Sequence, residues 1–437
     1  MSDAHLRPGT IWIKTAWHLR ANPFPSTGIV RIGGREAKDN GLLYAPEVHT
    51  EELRQVVEKF VLRMSYSGLK FGYLWSEGVT AGESDARGFG KSVLMQHVAR
   101  KINKDFGKEV YESAGLDTED ATEVPICCVV TGFDTAQVRT LGAALFAAVE
   151  YAINTVTDGA SLATRLQASL AEKAGTQDVK ELASLVAKGH SGLRGRTLGR
   201  PDDKLIAALC DSNPSVAVDY LSQITPTTRS RAGAVHMATF LLFAAAAGID
   251  HVLVFCDQLE DLASTTTAKA KRDLEVERFR DVIVETLPMA DMVTMILAMH
   301  PRTAVTIGQA WDLADLPSFA LTESNDGCTV RLRPLRDAGQ AAQLLKPYLK
   351  EATNNRATQP GDEFFPFTHD AITCLFGRSN RRPRDLLRKA HAIVEASATR
   401  NLPRITADDV MRFLDATAPA PRDSFGRTPS VIDWSQA

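Results

Sequence analysis

The run Arg87-Gly88-Phe89-Gly90-Lys91-Ser92 restricts the fold more than any other stretch of the chain. It stands between a short apolar segment and a stretch with helical periodicity. Two glycines one residue apart break regular structure, because glycine loses the most backbone entropy in a helix or strand. They allow a tight loop whose backbone N–H groups turn inward. A lysine and a serine then fall at the start of a helix, whose partial positive charge attracts anions. A phosphate-binding loop needs these parts: backbone donors, a helix N-terminus, a lysine for the terminal phosphates and a hydroxyl for Mg²⁺. Gly88, Gly90, Lys91 and Ser92 meet those demands, and Arg87, Phe89 and Val93 complete the candidate site. The full pattern GxxxxGK[ST] asks for glycine at 85; this chain has Asp85, and its nearest earlier glycine is Gly82. Either the loop is longer than usual, or Asp85 takes the turn conformation itself, which Asp tolerates better than most residues.

The pattern around this loop predicts an α/β fold. Apolar runs at 71–75, 126–131, 251–256, 291–299 and 329–332 read as short buried strands. Helical spacing predicts helices over 47–65, 91–106, 135–155, 234–247 and 270–285, then over 338–351, 368–376, 383–398 and 407–416. Strands alternating with helices imply a parallel sheet flanked by helices, followed by a helical domain. Residues 156–230 are rich in Ala, Leu and Ser, and read as a helical insertion interrupted by a loop at 191–201. Residues 1–45 carry Pro23, Pro25, Gly28, Gly33, Gly34 and Gly41, and read as an extended or loop segment. The expected division is an N-terminal extension at 1–45, a core at 46–335 holding the insertion, a helical lid at 336–417 and a flexible tail at 418–437.

A second motif lies downstream, in His251-Val252-Leu253-Val254-Phe255-Cys256-Asp257-Gln258-Leu259-Glu260-Asp261. An apolar run ending in Asp describes a buried strand with a carboxylate at its C-terminal edge, where open α/β sheets bind ligands. Asp257 suits the water shell of Mg²⁺, which prefers carboxylate oxygens. A hydrolase also needs a group to orient or deprotonate its attacking water. Glu260 is the first choice for that base and Gln258, as a water positioner, the second. Guanine specificity is disfavoured, because Asn103-Lys104-Asp105-Phe106 misses the pattern Asn-Lys-x-Asp by one position.

Composition excludes several other classes. The formal net charge of −3 over 437 residues rules out a wholly basic nucleic-acid coat and an acidic disordered tail. Hydrophobic residues at 44% and charged ones at 24% are ordinary globular values. No apolar run reaches the ~20 residues of a membrane span. The longest, 234–255, is interrupted by His236, Asp250 and His251. The first twenty residues carry charges and no long apolar stretch, so no secretory leader is visible and a cytoplasmic location is expected. The six cysteines form no CxxC pair and read as reduced thiols.

The order of motifs resembles that of the AAA+ and STAND branch of P-loop ATPases, closest to the origin-recognition, replication-initiator type. It runs from the GKS loop through the strand at 126–131 to Asp257-Gln258-Leu259-Glu260, which is similar to the STAND form of the acidic motif. A strand ending in Ala298-Met299-His300 follows, then Arg381-Arg382-Pro383-Arg384-Asp385-Leu386-Leu387 in the helical domain. The resemblance covers about 43–414 outside the insertion. It implies a P-loop NTPase fold with a C-terminal helical lid, and ATP and Mg²⁺ as ligands. It implies adenine contacts from the segment with Tyr44 and Pro46, a sensor 1 position near His300 and a sensor 2 arginine at Arg384. A neighbour's arginine finger is expected in this group, but after Arg302 the next arginines are Arg331 and Arg333, and no finger position emerges.

Eight basic residues (378, 381, 382, 384, 388, 389, 400 and 404) face two acidic ones over 378–404. That local excess is a candidate DNA contact, as is the loop at 194–200. A solvated face or an acidic protein partner would need the same charges. The function expected is an ATPase whose turnover is weak or partner-dependent. It would act as a nucleotide-dependent switch, linked to DNA in replication, transposition or anti-phage defence, as a homo-oligomer with no membrane association. The alternative is a non-catalytic nucleotide-binding scaffold that recruits an effector protein. A small-molecule kinase is disfavoured by the long helical C-terminal domain.

Overall fold

The computed structural model describes residues 8–27, 36–62, 71–76, 88–113, 124–133, 138, 140–192, 200–259, 269–281, 292–299, 308–314, 316, 327–353 and 363–417. Its strands in chain order are β1 (Phe71–Ser76), β2 (Ile126–Gly132), β3 (Val156–Thr157), β4 (Ala160–Ser161), β5 (His251–Asp257), β6 (Val293–Ala298) and β7 (Thr329–Leu332). Five of them form one sheet in the order β2-β5-β6-β1-β7. Every pairing in it is parallel, with Tyr73 opposite Leu297 on one side and Thr329 on the other. β3 and β4 make a small antiparallel pair. Every residue of β1 and β6 is buried, as expected of parallel strands covered on both faces. That is why these strands read in the sequence as continuous apolar runs rather than alternating ones.

Parallel neighbours need long crossovers, and helices supply them. The helix Lys91–Asp105 carries the chain from β1 towards β2 and packs on both. From it, buried Asn103 places its side-chain amide against the sheet edge. Asn103 Nδ2 donates to the Cys128 carbonyl and Asn103 Oδ1 accepts from the Cys128 N–H, both at 2.7 Å. One amide thus satisfies two backbone groups that the edge strand would otherwise leave unpaired.

The insertion opens with the β3–β4 pair, which its composition did not indicate, and is otherwise built of helices, as expected: Leu162–Ala174, Val179–Gly192, Asp203–Cys210, Pro214–Ser222 and Pro226–Ala246. It is not a separate body, since Leu166, Leu182, Leu205 and Phe240 belong to the same hydrophobic core as the sheet. The last of these helices starts eight residues before the helix expected at 234. Thr225 caps it by accepting from the Thr228 N–H, and Pro226 occupies its first turn. It packs against the helix Leu141–Asn154 at a crossing without side chains. A Cβ on Gly233 would lie 1.7 Å from the Gly142 carbonyl oxygen, and one on Gly142 would lie 2.1 Å from that of Ser230.

A second core gathers the helices Ala338–Ala352, His369–Gly377, Pro383–Thr399 and Ala407–Thr417. The N-terminal segment corrects the sequence reading. Residues expected to be extended or loop contain the helix Pro8–Thr15, and Ile13, Trp17, Leu19 and Phe24 are buried in this same C-terminal core. The indole N–H groups of Trp12 and Trp17 both donate to the Leu402 carbonyl, at 2.9 and 3.1 Å. The partners lie at the other end of the chain, so local composition gave no sign of them. The helix expected over 47–65 is also subdivided. It comprises a 3₁₀ turn Pro46–His49, an α-helix Thr50–Val56 and a π-helical stretch Val57–Leu62.

Among the described residues no helix is long and apolar enough to cross a membrane. The loop at 193–199 and the tail at 418–437 lie outside the described residues.

The glycine crossing yields a stability test. Gly233→Ala forces two helix backbones apart and is expected to cost about 1–3 kcal/mol in urea unfolding. Gly308→Ala, where a Cβ meets nothing within 4 Å, is expected to leave stability unchanged or raise it.

Candidate functional site

The glycine loop adopts the conformation its residues were chosen for. Gly88 and Gly90 have φ of +95° and +93°, in the region where a side chain is strained. Both are also places of close approach. A Cβ on Gly88 would lie 2.6 Å from Arg384 Cβ, and one on Gly90 would lie 2.9 Å from His49 Cε1. The helix Lys91–Asp105 starts directly after Gly90, so its N-terminus opens at the loop.

The next two side chains reach the C-terminal edge of the sheet. Lys91 Nζ donates to Ser76 Oγ at 2.7 Å, at the end of β1. The Ser92 hydroxyl donates to the Asp257 carboxylate, at the end of β5. Asp257 is buried, and its other oxygen accepts from the Gln258 N–H at 2.9 Å. Gln258 turns the chain away from the sheet at a φ of +58° and is exposed.

These residues form one end of a cleft of about 200 Å³. Leu43, Tyr44, Ala45, Val48 and His49 form a second wall, and Leu344, Tyr348, Pro383, Arg384 and Leu387 a third. Pro25, from the N-terminal segment, completes it. The loop end is rich in N–H groups with a cation, a hydroxyl and a carboxylate, whereas the far end is largely apolar. The C-terminal core is bonded to the loop itself. The Arg384 N–H, an orphan donor in the first turn of the helix Pro383–Thr399, donates to the Gly88 carbonyl at 3.1 Å. Arg384 Nε donates to the Thr27 carbonyl at 3.3 Å, and the Arg382 guanidinium lies 5.6 Å from the Phe89 ring centre.

Of the residues singled out in the sequence, Tyr44, Gly88, Phe89, Gly90, Lys91, Ser92, Val93, Asp257, Gln258 and Arg384 line this one cleft. Pro46 is not among its lining residues; it is exposed and starts the 3₁₀ turn that presents Val48 and His49. Arg87, Glu260 and His300 lie outside the described residues, as does Asp85. Sequence reasoning missed Pro25, Val48, His49, Ser76, Leu344, Tyr348 and Leu387. The pairs Leu344/Tyr348 and Arg384/Leu387 have the spacing of one helix face, but spacing alone does not say which face turns to a site.

The basic residues at 378–404 all have partners within the chain. Arg378 pairs with Asp415, and Arg388 and Lys389 share Asp385. Arg381, Arg382, Arg400 and Arg404 lie over the rings of Phe376, Phe89, Phe413 and Phe365. Arg384 faces the cleft. Arg200 is paired with Asp203.

The histidine of the cleft is held neutral. Burial pushes the His49 imidazole from 6.5 down to about 4, against the opposing effect of its bond to the Phe89 carbonyl. Burial, and then Glu52 and Glu47, push the Tyr44 phenol well above its ordinary value. Burial also brings His97, whose ring lies tilted against that of Tyr44 with centres 4.4 Å apart, down to about 4. Among the described residues no three His, Cys, Asp or Glu side chains cluster as a metal cage.

No protein-family model matches the chain, and no curated protein matches it either.

The depressed imidazole makes stability depend on pH. The unfolded His49 takes up a proton near 6.5 and the folded one resists until about 4, so the unfolded chain binds more protons between them. Folding therefore weakens as pH falls through that window. Urea unfolding at pH 7 and pH 5 is expected to show a loss that is smaller in His49→Gln than in the wild type by about 2 kcal/mol.

Proposed function

We propose that the chain binds ATP with Mg²⁺ in this cleft and acts as a nucleotide-dependent switch, as a P-loop ATPase of the AAA+/STAND kind. The observation that carries this is the meeting of Ser92 and Asp257 beside Lys91, at a helix N-terminus preceded by two left-handed glycines. A chance Gly-Lys-Ser would not bring its hydroxyl onto the carboxylate at the end of another strand. Strand order also supports the reading. β1 lies inside the sheet between β6 and β7, and its C-terminal end is the kind of position where open α/β sheets bind ligands.

Each wall has a part in the reading. The N–H groups of the loop and of the helix start bind the phosphates, and Lys91 exchanges its bond to Ser76 for the terminal phosphate oxygens. Ser92 and Asp257 would hold Mg²⁺ through their oxygens, which fits an ion that binds few protein groups and prefers carboxylate and hydroxyl oxygen. Bound there, Mg²⁺ would neutralise charge on the β and γ oxygens. Val48, Leu344, Tyr348 and Leu387 make the apolar end for the base. Gln258 orients the attacking water and Glu260 accepts its proton. Arg384, tied to the loop through its backbone, carries the state of the γ-phosphate to the helical lid. The basic lid residues at 378–404 are proposed to meet DNA through the guanidinium edges left exposed. The oligomer and an effector protein belong to the same proposal.

One observation favours the second reading, a scaffold that binds nucleotide without turning it over. Gln258 stands directly after Asp257, lines the cleft, and has an amide that takes up no proton at neutral pH.

ATP binding and hydrolysis, with and without double-stranded DNA, distinguish the two. Lys91→Ala is expected to weaken ATP binding at least about tenfold, the loss of one charge-assisted contact; unchanged affinity would make the nucleotide assignment wrong. DNA-stimulated turnover lost in both Lys91→Ala and Glu260→Gln identifies a DNA-linked switch. Binding without turnover, lost only in Lys91→Ala, identifies the scaffold.

A further inference from the structure

Three consecutive carbonyls of the glycine loop are tied to three different parts of the chain. Gly88 O accepts from the Arg384 N–H at 3.1 Å, Phe89 O from His49 Nε2 at 3.1 Å, and Gly90 O from the Leu94 N–H at 2.9 Å. A trans peptide is planar, so its C=O and N–H point in opposite directions. Holding a carbonyl therefore aims the N–H of the next residue. The first and third ties run from backbone to backbone and need no side chain to make them. The middle one depends on a single imidazole.

We propose that His49 is a positioning residue of the phosphate subsite, which aims the Gly90 N–H at the anion by holding the Phe89 carbonyl. This role rests on the nucleotide reading above. The chemistry of the neighbours sets its tautomer. The Phe89 oxygen only accepts, so Nε2 carries the proton, and Nδ1 is left to accept from the Tyr44 hydroxyl at 3.1 Å. Tyr44 lies parallel to the ring, with centres 5.8 Å apart and 12° between planes, and fixes its orientation. His49 is only 4% exposed, and its ring edge fills the space where a side chain on Gly90 would be. A lysine or arginine in its place would bring a full charge that competes with Lys91 for the phosphate. A neutral imidazole orders the loop without binding the anion itself.

The test compares ATP and AMP affinities of the full chain, with Mg²⁺ at neutral pH, for wild type, His49→Leu and His49→Gln. ATP engages the loop through its β and γ phosphates, and AMP has neither. His49→Leu is expected to weaken ATP binding about tenfold, the cost of one buried carbonyl left unpaired, and to leave AMP binding unchanged. His49→Gln, whose amide can donate to the same carbonyl, is expected to recover ATP affinity. Equal losses for ATP and AMP, or no recovery with Gln, mean a structural role alone and overturn the proposal. Unchanged ATP affinity in His49→Leu overturns it as well, while leaving the nucleotide reading intact. A wild-type chain that binds neither nucleotide overturns that reading and this role with it.

Discussion

The two hydrophobic cores of the chain meet where Gly88 has no side chain. With a Cβ 2.6 Å from that of Arg384, the helix Pro383–Thr399 could not approach the loop, and its Arg384 N–H would lose the Gly88 carbonyl. The cleft is the space left beside this contact. Its polar end belongs to the sheet, through Lys91, Ser92 and Asp257, and much of its apolar end to the C-terminal helices, through Leu344, Tyr348 and Leu387. The bond between Arg384 N–H and the Gly88 carbonyl, at 3.1 Å, ties the C-terminal helices to the loop directly.

The C-terminal core is itself made from both ends of the chain. Trp12 and Trp17 bond to Leu402, and Asn22 Nδ2 donates to the His391 carbonyl at 3.0 Å. His391 Nδ1 in turn donates to the Phe24 carbonyl at 2.8 Å. Buried aromatic side chains carry much of a small core's stability, and each indole needs a partner for its N–H. The same segment contributes Pro25 to the cleft and the Thr27 carbonyl to Arg384. The N-terminal residues are thus part of the site wall as well as of the C-terminal core.

How much of this was legible differs from element to element. The five strands of the parallel sheet were legible because parallel strands buried on both faces have continuous apolar sequences, and β7 spans the four residues its pattern marked, whereas the two-residue strands β3 and β4 are too short to show a pattern. The C-terminal helices were legible because each is amphipathic and opens with a local signal, such as Asp337, Thr368 or Pro383. The start of the helix Pro226–Ala246 was not, because its residues from Pro226 to Ala232 are exposed or half-buried and carry no apolar stripe to mark a helical period. The first helix was hidden for a different reason. Its eight residues are marginal alone, and partners almost 400 positions away stabilise it.

The cleft divides in the same way. Gly88, Gly90, Lys91, Ser92 and Asp257 were legible because each carries its chemistry in its own residue type: left-handed backbone, cation, hydroxyl, carboxylate. By itself the sequence determined the parallel sheet, the helices that flank it and the residues at the polar end. Only the tertiary structure decided that Ser92 meets Asp257, that Arg384 caps the loop through its backbone, and that His49 holds the Phe89 carbonyl. Those contacts join residues that no local pattern relates. A histidine, a tyrosine or a leucine has the same sequence signature in a core as in a site, and packing alone tells them apart.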